Sequence, residues 1–203
     1  MNKPKILVAH NKPPKTYLCA LSLVGLDFDC TLTPKDLSLY RGLLLIGGGD
    51  IFPPFFNGNS VDFRGENLIR DACEINLFDY FYSKNLPILG ICRGLQLINA
   101  RLGGSLKVVQ NHQGDNLSDL NHPLISPSQG FLKNLAVANS NHRQAVDSLC
   151  PQAENVAYSK DQVVEGFSIG KNILAVQFHP ERMDSFAIST VYGEFYKLVK
   201  TVK

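Results

Sequence analysis

Three short stretches of the chain carry residue types that could do chemistry. In Gly90-Ile91-Cys92-Arg93-Gly94 a cysteine stands with a glycine two residues away on either side. A nucleophile on a sharp strand-to-helix turn needs such small neighbours, because the tight backbone leaves no room for side chains there. The turn would also hold the thiol at the N-terminus of the next helix, whose dipole favours thiolate. Taken alone, the pentapeptide suits a buried structural cysteine between two helix breakers equally well. In Gln177-Phe178-His179-Pro180-Glu181, extended chain would project residues i and i+2 to one side and set Glu181 beside His179. A carboxylate there fixes the imidazole tautomer and leaves the other ring nitrogen free to act as base. A lone His-Pro-Glu reads more simply as a solvated loop. Beside the elbow, it supplies the oriented base that a cysteine nucleophile requires. The third stretch, Gly47-Gly48-Gly49-Asp50, would bring backbone N–H groups up to a ligand or a developing oxyanion. It lacks the Gly-Lys-Ser/Thr ending of a phosphate-binding loop.

These stretches do chemistry only if strands end side by side, and the apolar pattern supplies such strands. Apolar runs at 5–9, 42–46, 87–91 and 173–178 read as strands, with an edge strand at 29–32 and further strand signals at 155–159 and 163–169. Helical periodicity appears at 16–24, 62–84, 93–102 and 184–200, and Gly103-Gly104 stops the third of these helices. The polar segment 110–129 reads as an excursion over the surface. Strands alternating with helices predict a single-domain α/β fold, a flavodoxin-like three-layer α/β/α sandwich around a mostly parallel sheet. In such sheets ligands bind at the carboxyl ends of the strands, where all three stretches lie.

Composition limits the function classes. With 20 Lys and Arg against 18 Asp and Glu in 203 residues, the net charge of +2 excludes a polybasic nucleic-acid stripe. The apolar run near the N-terminus is too short for a signal-peptide core or a membrane span. Five cysteines, none spaced as CxxC, predict reduced thiols in a cytoplasmic protein and no metal site.

Read in order, GGGD, GICRGLQLINARLGG, ANSNHRQAV and AVQFHPE resemble the class I glutamine amidotransferase-like family, closest to its γ-glutamyl-γ-aminobutyrate hydrolase branch, over nearly the whole chain. The resemblance implies that Cys92 is the nucleophile, His179 the base and Glu181 the third member of a triad, with a glutamyl thioester as intermediate. It implies an oxyanion hole from the N–H of Gly48, with Gly49 as the competing register, and that of Arg93. Gln96 falls where the family keeps a polar residue near the substrate's amino-acid end. Ser140, His142 and Gln144 match its NS-x-H-x-Q segment as further substrate contacts, and Glu165 matches a glutamate near the cleft. The implied ligand is a small γ-glutamyl compound, and no cofactor is required. Departures fall at Ile51-Phe52-Pro53-Pro54, where the branch is more polar, and in a short 105–138 segment. Both border the leaving-group side.

The remaining candidates have plainer readings. His10, His112 and His122 are surface or capping residues at spacings that match no metal pattern. Phe52, Phe55, Phe56 and Phe63 suit a core or a contact between protomers, and a homodimer stays open. Cys19, Cys30, Cys73 and Cys150 are packing residues. Three functions follow: a free-standing γ-glutamyl amide hydrolase, a glutaminase subunit passing ammonia to a separate synthetase, and an inactive binding module. Intact Cys92, His179 and Glu181 argue against the last.

Overall fold

A computed structural model describes residues 4–52, 64–65, 67–114, 118–126 and 130–202. In chain order the elements are β1 (Lys5–Val8), α1 (Lys15–Leu23), β2 (Asp27–Cys30), β3 (Leu43–Leu45), α2 (Leu68–Ser83), β4 (Ile88–Ile91), α3 (Arg93–Arg101), β5 (Ser105–Val108), β6 (Leu120–Ile125), β7 (Val137–Ser140), β8 (Gln144–Ser148), β9 (Ala153–Ser159), β10 (Val164–Ile169), β11 (Ile173–Val176) and α4 (Ser185–Thr201). Nine strands form one sheet in the order β2-β1-β3-β4-β11-β10-β9-β6-β7, and β5 pairs with β8 separately. The five strands from β2 to β11 run parallel in the flavodoxin-like order, and antiparallel strands extend the sheet beyond β11.

The interior strands are apolar throughout because both faces are covered. β3, β4 and β11 are buried at every residue. One face packs Ile6, Val8, Leu44, Leu89 and Val176 against α1 and α4, including Tyr17, Leu21, Tyr192 and Phe195. The other packs Leu7, Leu43, Leu45 and Ile88 against α2 and α3 through Phe78, Phe81, Leu95 and Ile98. These two cores make the layered sandwich. Among the described residues no helix is long and apolar enough to cross a membrane.

Differences from the expected elements have local causes. The second helix begins at Leu68, not 62, where the Asn67 side chain caps it by accepting from the Arg70 N–H. The segment read as a surface excursion contains β6, and strands also occupy 105–108, 137–140 and 144–148. β6 (LNHPLI) is mostly exposed, holds a proline and interrupts its apolar residues with Asn121 and His122, so it shows no apolar run, and it pairs with antiparallel neighbours β7 and β9. Cys19 is exposed rather than packed, whereas Cys150 is buried. Phe55, Phe56, Phe63, Pro53 and Pro54 lie outside the described residues.

Candidate active site

Parallel pairing of β4 with β11 puts Ile91 opposite Val176, so the chain leaves the sheet at Cys92 and Gln177 side by side. The Cys92 N–H donates to the Val176 carbonyl at 2.8 Å and locks the two ends together. Cys92 has φ 52° and ψ −104°, a left-handed conformation that costs a non-glycine residue about 1–3 kcal/mol. It immediately precedes α3, which has no side-chain cap there, so the thiol sits over the positive end of the helix. The flanking glycines are sterically required. A Cβ on Gly94 would lie 2.2 Å from the Leu45 carbonyl oxygen, and one on Gly90 would meet Ile98 at 2.6 Å.

His179 and Glu181 meet, though not through extended chain. Pro180–Arg182 forms a 3₁₀ turn after His179, and that turn brings Glu181 Oε1 to 2.8 Å from His179 Nδ1. The carboxylate can only accept, so Nδ1 carries a proton and Nε2 is left for Cys92. Burial opposes a charge on His179, but the Cys92 charge, its hydrogen bond and Glu181 together raise the imidazole to about 10. Asn139 brackets the same residue: its Oδ1 accepts from the His179 N–H at 2.8 Å and its Nδ2 donates to the His179 carbonyl at 3.1 Å.

The glycine stretch is held from two sides. Tyr17 Oη accepts from the Gly47 N–H at 3.1 Å and lies 3.2 Å from His179 Nδ1. Burial first, then the Glu181 and Cys92 charges, push the Tyr17 phenol well above its ordinary value, so it stays protonated. Arg70 donates to the carbonyls of Ile46 at 3.1 Å and Gly47 at 3.0 Å, and Glu74 Oε1 accepts from its Nε at 2.7 Å. The buried Arg93 side chain pairs with Asp71 and Glu74. With Gly47 occupied, Gly48, Gly49 and Arg93 retain N–H groups that donate to no described residue. Sequence reasoning missed Tyr17, Arg70, Asp71, Glu74 and Asn139, because ordinary helix and strand positions give no local signal of what lies across the sheet end.

A cavity of about 210 Å³ opens at Cys92, lined among others by Gly48, Gly49, Gln96, His142 and Gln144. Gln96 Nε2 donates to the Gln144 carbonyl at 2.7 Å, so its amide oxygen is the end left for the cavity. Asp50, Arg64 and Arg143 supply both charge signs on the rim, and Arg143 pairs with Asp50. Ser140 is not among the lining residues. Its hydroxyl donates to the His112 carbonyl at 2.8 Å, on the far side of the segment.

The histidines read as surface residues are placed differently. His112 is 3% exposed, and with the partly buried His122 and with His142 it surrounds Glu165, which is fully buried. His10 does cap locally, its Nδ1 accepting from the Lys12 N–H at 3.0 Å.

Comparison with known proteins gives the family and the fold. The Peptidase C26 family matches residues 26–181. A glutamine-hydrolyzing GMP synthase subunit of Methanobrevibacter smithii is 30% identical over 206 residues, covering 96% of each chain. A gamma-glutamyl-CDP-amidate hydrolase of Campylobacter jejuni is 26% identical over 163 residues, covering 80% of this chain and 72% of its own. In fold, the chain superposes on a glutamine amidotransferase from Thermotoga maritima with TM-score 0.67 at 18% identity, covering 100% of this chain and 91% of that one.

Proposed function

The chain belongs to the Peptidase C26 family, a class I glutamine amidotransferase-like hydrolase family, and on that premise we propose that it cleaves a small γ-glutamyl amide to glutamate and an amine. The observation that carries this reading is Cys92, held at positive φ over the start of α3 and beside the His179–Glu181 pair.

In the proposed reaction, Cys92 Sγ attacks the γ-carbonyl carbon as thiolate. Negative charge moves to the carbonyl oxygen, which faces the N–H of Gly48 or Gly49 and that of Arg93. His179 Nε2 gives its proton to the amide nitrogen, the C–N bond breaks, and the amine leaves from a glutamyl thioester. The now neutral His179 takes a proton from water, and the hydroxide adds to the thioester carbon. The C–S bond breaks, glutamate departs, and the thiolate–imidazolium pair is restored. Glu181 stays ionised and holds the ring in its tautomer.

The cavity suits the charged head of the substrate. At about 210 Å³ it falls below the roughly 300 Å³ at which drug-sized sites begin, and an amino-acid moiety is of the right order. Gln96 Oε1 would accept from the α-ammonium, and the arginines on the rim would face the α-carboxylate. Gln96→Ala is then expected to raise KM about 10-fold for every γ-glutamyl substrate, whatever the amine. Steady-state kinetics on two substrates differing only in the amine check this, and a loss confined to one of them would place Gln96 on the leaving-group side.

A second reading, a glutaminase subunit passing ammonia to a separate synthetase, draws on the end-to-end match to the Methanobrevibacter smithii protein. Assay of the purified chain alone against glutamine and a panel of γ-glutamyl amines separates the two. Turnover of γ-glutamyl amines without a partner supports the hydrolase. Activity on glutamine only, and only after a synthetase is added, supports the glutaminase reading.

A further inference from the structure

Behind the wall of the Cys92 cavity, three imidazoles converge on one carboxylate. Glu165 Oε1 lies 3.2 Å from His122 Nε2, 3.6 Å from His112 Nδ1 and 3.8 Å from His142 Nε2. None of these approaches has the geometry of a hydrogen bond. Both Glu165 oxygens, His122 Nε2 and His142 Nε2 are buried without a hydrogen-bond partner. Buried polar atoms are almost always paired, so four facing one another across a common point call for something between them.

The outer partners fix which nitrogen faces inward. His142 Nδ1 lies 3.0 Å from the Gln144 carbonyl and His122 Nδ1 lies 3.3 Å from the Pro123 carbonyl. Each carbonyl can only accept, so those nitrogens carry protons and each Nε2 is the atom turned to Glu165, where binding an ion would release any proton it holds. His112 Nε2 lies 3.0 Å from Asp161 Oδ2, and its Nδ1 faces Glu165 Oε1 at 3.6 Å and Ser140 Oγ at 3.2 Å, so an ion bound at Nδ1 would displace the Ser140 contact. An imidazole anchored through one nitrogen to a carboxylate or carbonyl, with the other nitrogen turned inward, is the arrangement that orients metal ligands.

The backbone is shaped to the same end. Glu165 sits where the β10–β9 register shifts between Val164 and Gly166, and such a bulge re-aims a side chain. Asn111, at φ 62°, turns the chain immediately before His112.

We propose that His112, His122, His142 and Glu165 form a binding site for a divalent transition cation of the zinc class. Three imidazoles and one carboxylate are a borderline donor set that suits zinc, and four protein ligands make a closed, structural site. With bonds of roughly 2.0–2.1 Å, the edges of a tetrahedron are about 3.3–3.4 Å. The three distances to Glu165 bracket that length. The ligand atoms of His112, His122 and Glu165 lie within 4.8 Å of one another, so modest side-chain rotation closes the site. A cavity of about 410 Å³, lined by Asn111, His112, His122, Ser159, Lys160 and Asp161, gives an ion a way in from solvent. The bound ion would tie the segment before β6, β6 itself, the β7–β8 turn and β10 together behind His142, which lines the Cys92 cavity.

The inference stands apart from the proposed reaction, since binding is measured without substrate. The test uses the Cys92→Ala protein, so that the thiol beside His179 cannot contribute. After dialysis against a chelator it is titrated with Co²⁺ and, in competition with a chelating dye, with Zn²⁺. The expected result is one equivalent per chain, visible Co²⁺ bands of four-coordinate intensity, and a rise in melting temperature on Zn²⁺ addition. His122→Ala should weaken Zn²⁺ binding at least about 100-fold, and Asp161→Ala should weaken it roughly 10–100-fold by freeing His112. Both positions are near the surface, and metal-free melting curves report whether these variants fold. Zn²⁺ affinity unchanged in His122→Ala, binding of less than one equivalent, or a weak six-coordinate Co²⁺ spectrum would each overturn the site.

Discussion

Replacing Cys92 with alanine is expected to lower kcat/KM by at least about 10⁴-fold while the fold survives. The size of the loss follows from the chemistry. Without the thiolate there is no covalent intermediate, and what remains is the contribution of the oxyanion N–H groups and of substrate positioning. The fold survives because the constraint at this position is the backbone. Alanine keeps the φ of 52°, the N–H bond to Val176 and the room provided by Gly90 and Gly94. Rates against a γ-glutamyl substrate, with melting temperature as the control, check the expectation. Mass spectrometry of the wild type quenched during turnover should show a glutamyl adduct on Cys92. Undiminished turnover in the alanine variant would end the nucleophile assignment.

His179→Ala should cost roughly 10²–10⁴-fold, the scale of a missing general acid–base. Glu181→Gln should cost less, because Glu181 acts through the imidazole at 2.8 Å and does not meet the substrate. The pH profile separates the two roles. His179 is raised from its ordinary 6.5 to about 10, so its charged form persists through neutral pH and is lost as pH rises through about 10. The leaving amine takes its proton from that charged form, so wild-type kcat/KM should fall along an alkaline limb near pH 10. Removing the Glu181 charge takes away part of what supports the imidazolium, and the limb should then move toward neutral pH. An unmoved limb in Glu181→Gln would mean that Glu181 does not orient the base.

What could be read from the chain was whatever is carried by adjacent residues. The elbow was legible because its two glycines flank the cysteine within five residues, although the atoms that exclude a side chain at 94 belong to Leu45 of β3. The parallel half of the sheet was legible because strands buried on both faces, such as 43–45 and 88–91, must be apolar at every position. The antiparallel half was read less well. β6 and β7 bury only some of their residues and share no simple period, so composition alone made β6 a surface excursion and gave no sign of β7.

Side-chain groupings assembled from distant positions stayed hidden. Arg70 and Arg93 share Glu74 within α2–α3 packing, Tyr17 reaches from α1 to Gly47, and Asn139 reaches from β7 to His179. Apart from the i,i+4 spacing of Arg70 and Glu74 on α2, none has a partner whose spacing in sequence signals the contact. His112 and His122 looked like surface residues because a polar segment was read as exposed, whereas β6 pairing carries His122 onto Glu165 and the His142 N–H holds the His112 carbonyl beside it. By itself, then, the sequence determined the strand ends that bear Cys92, His179 and Glu181, because a strained turn and an apolar strand write their requirements into contiguous residues. Only the tertiary structure decided which groups from other elements surround them, because a hydrogen bond or an ion pair constrains two positions in space and leaves their separation along the chain arbitrary.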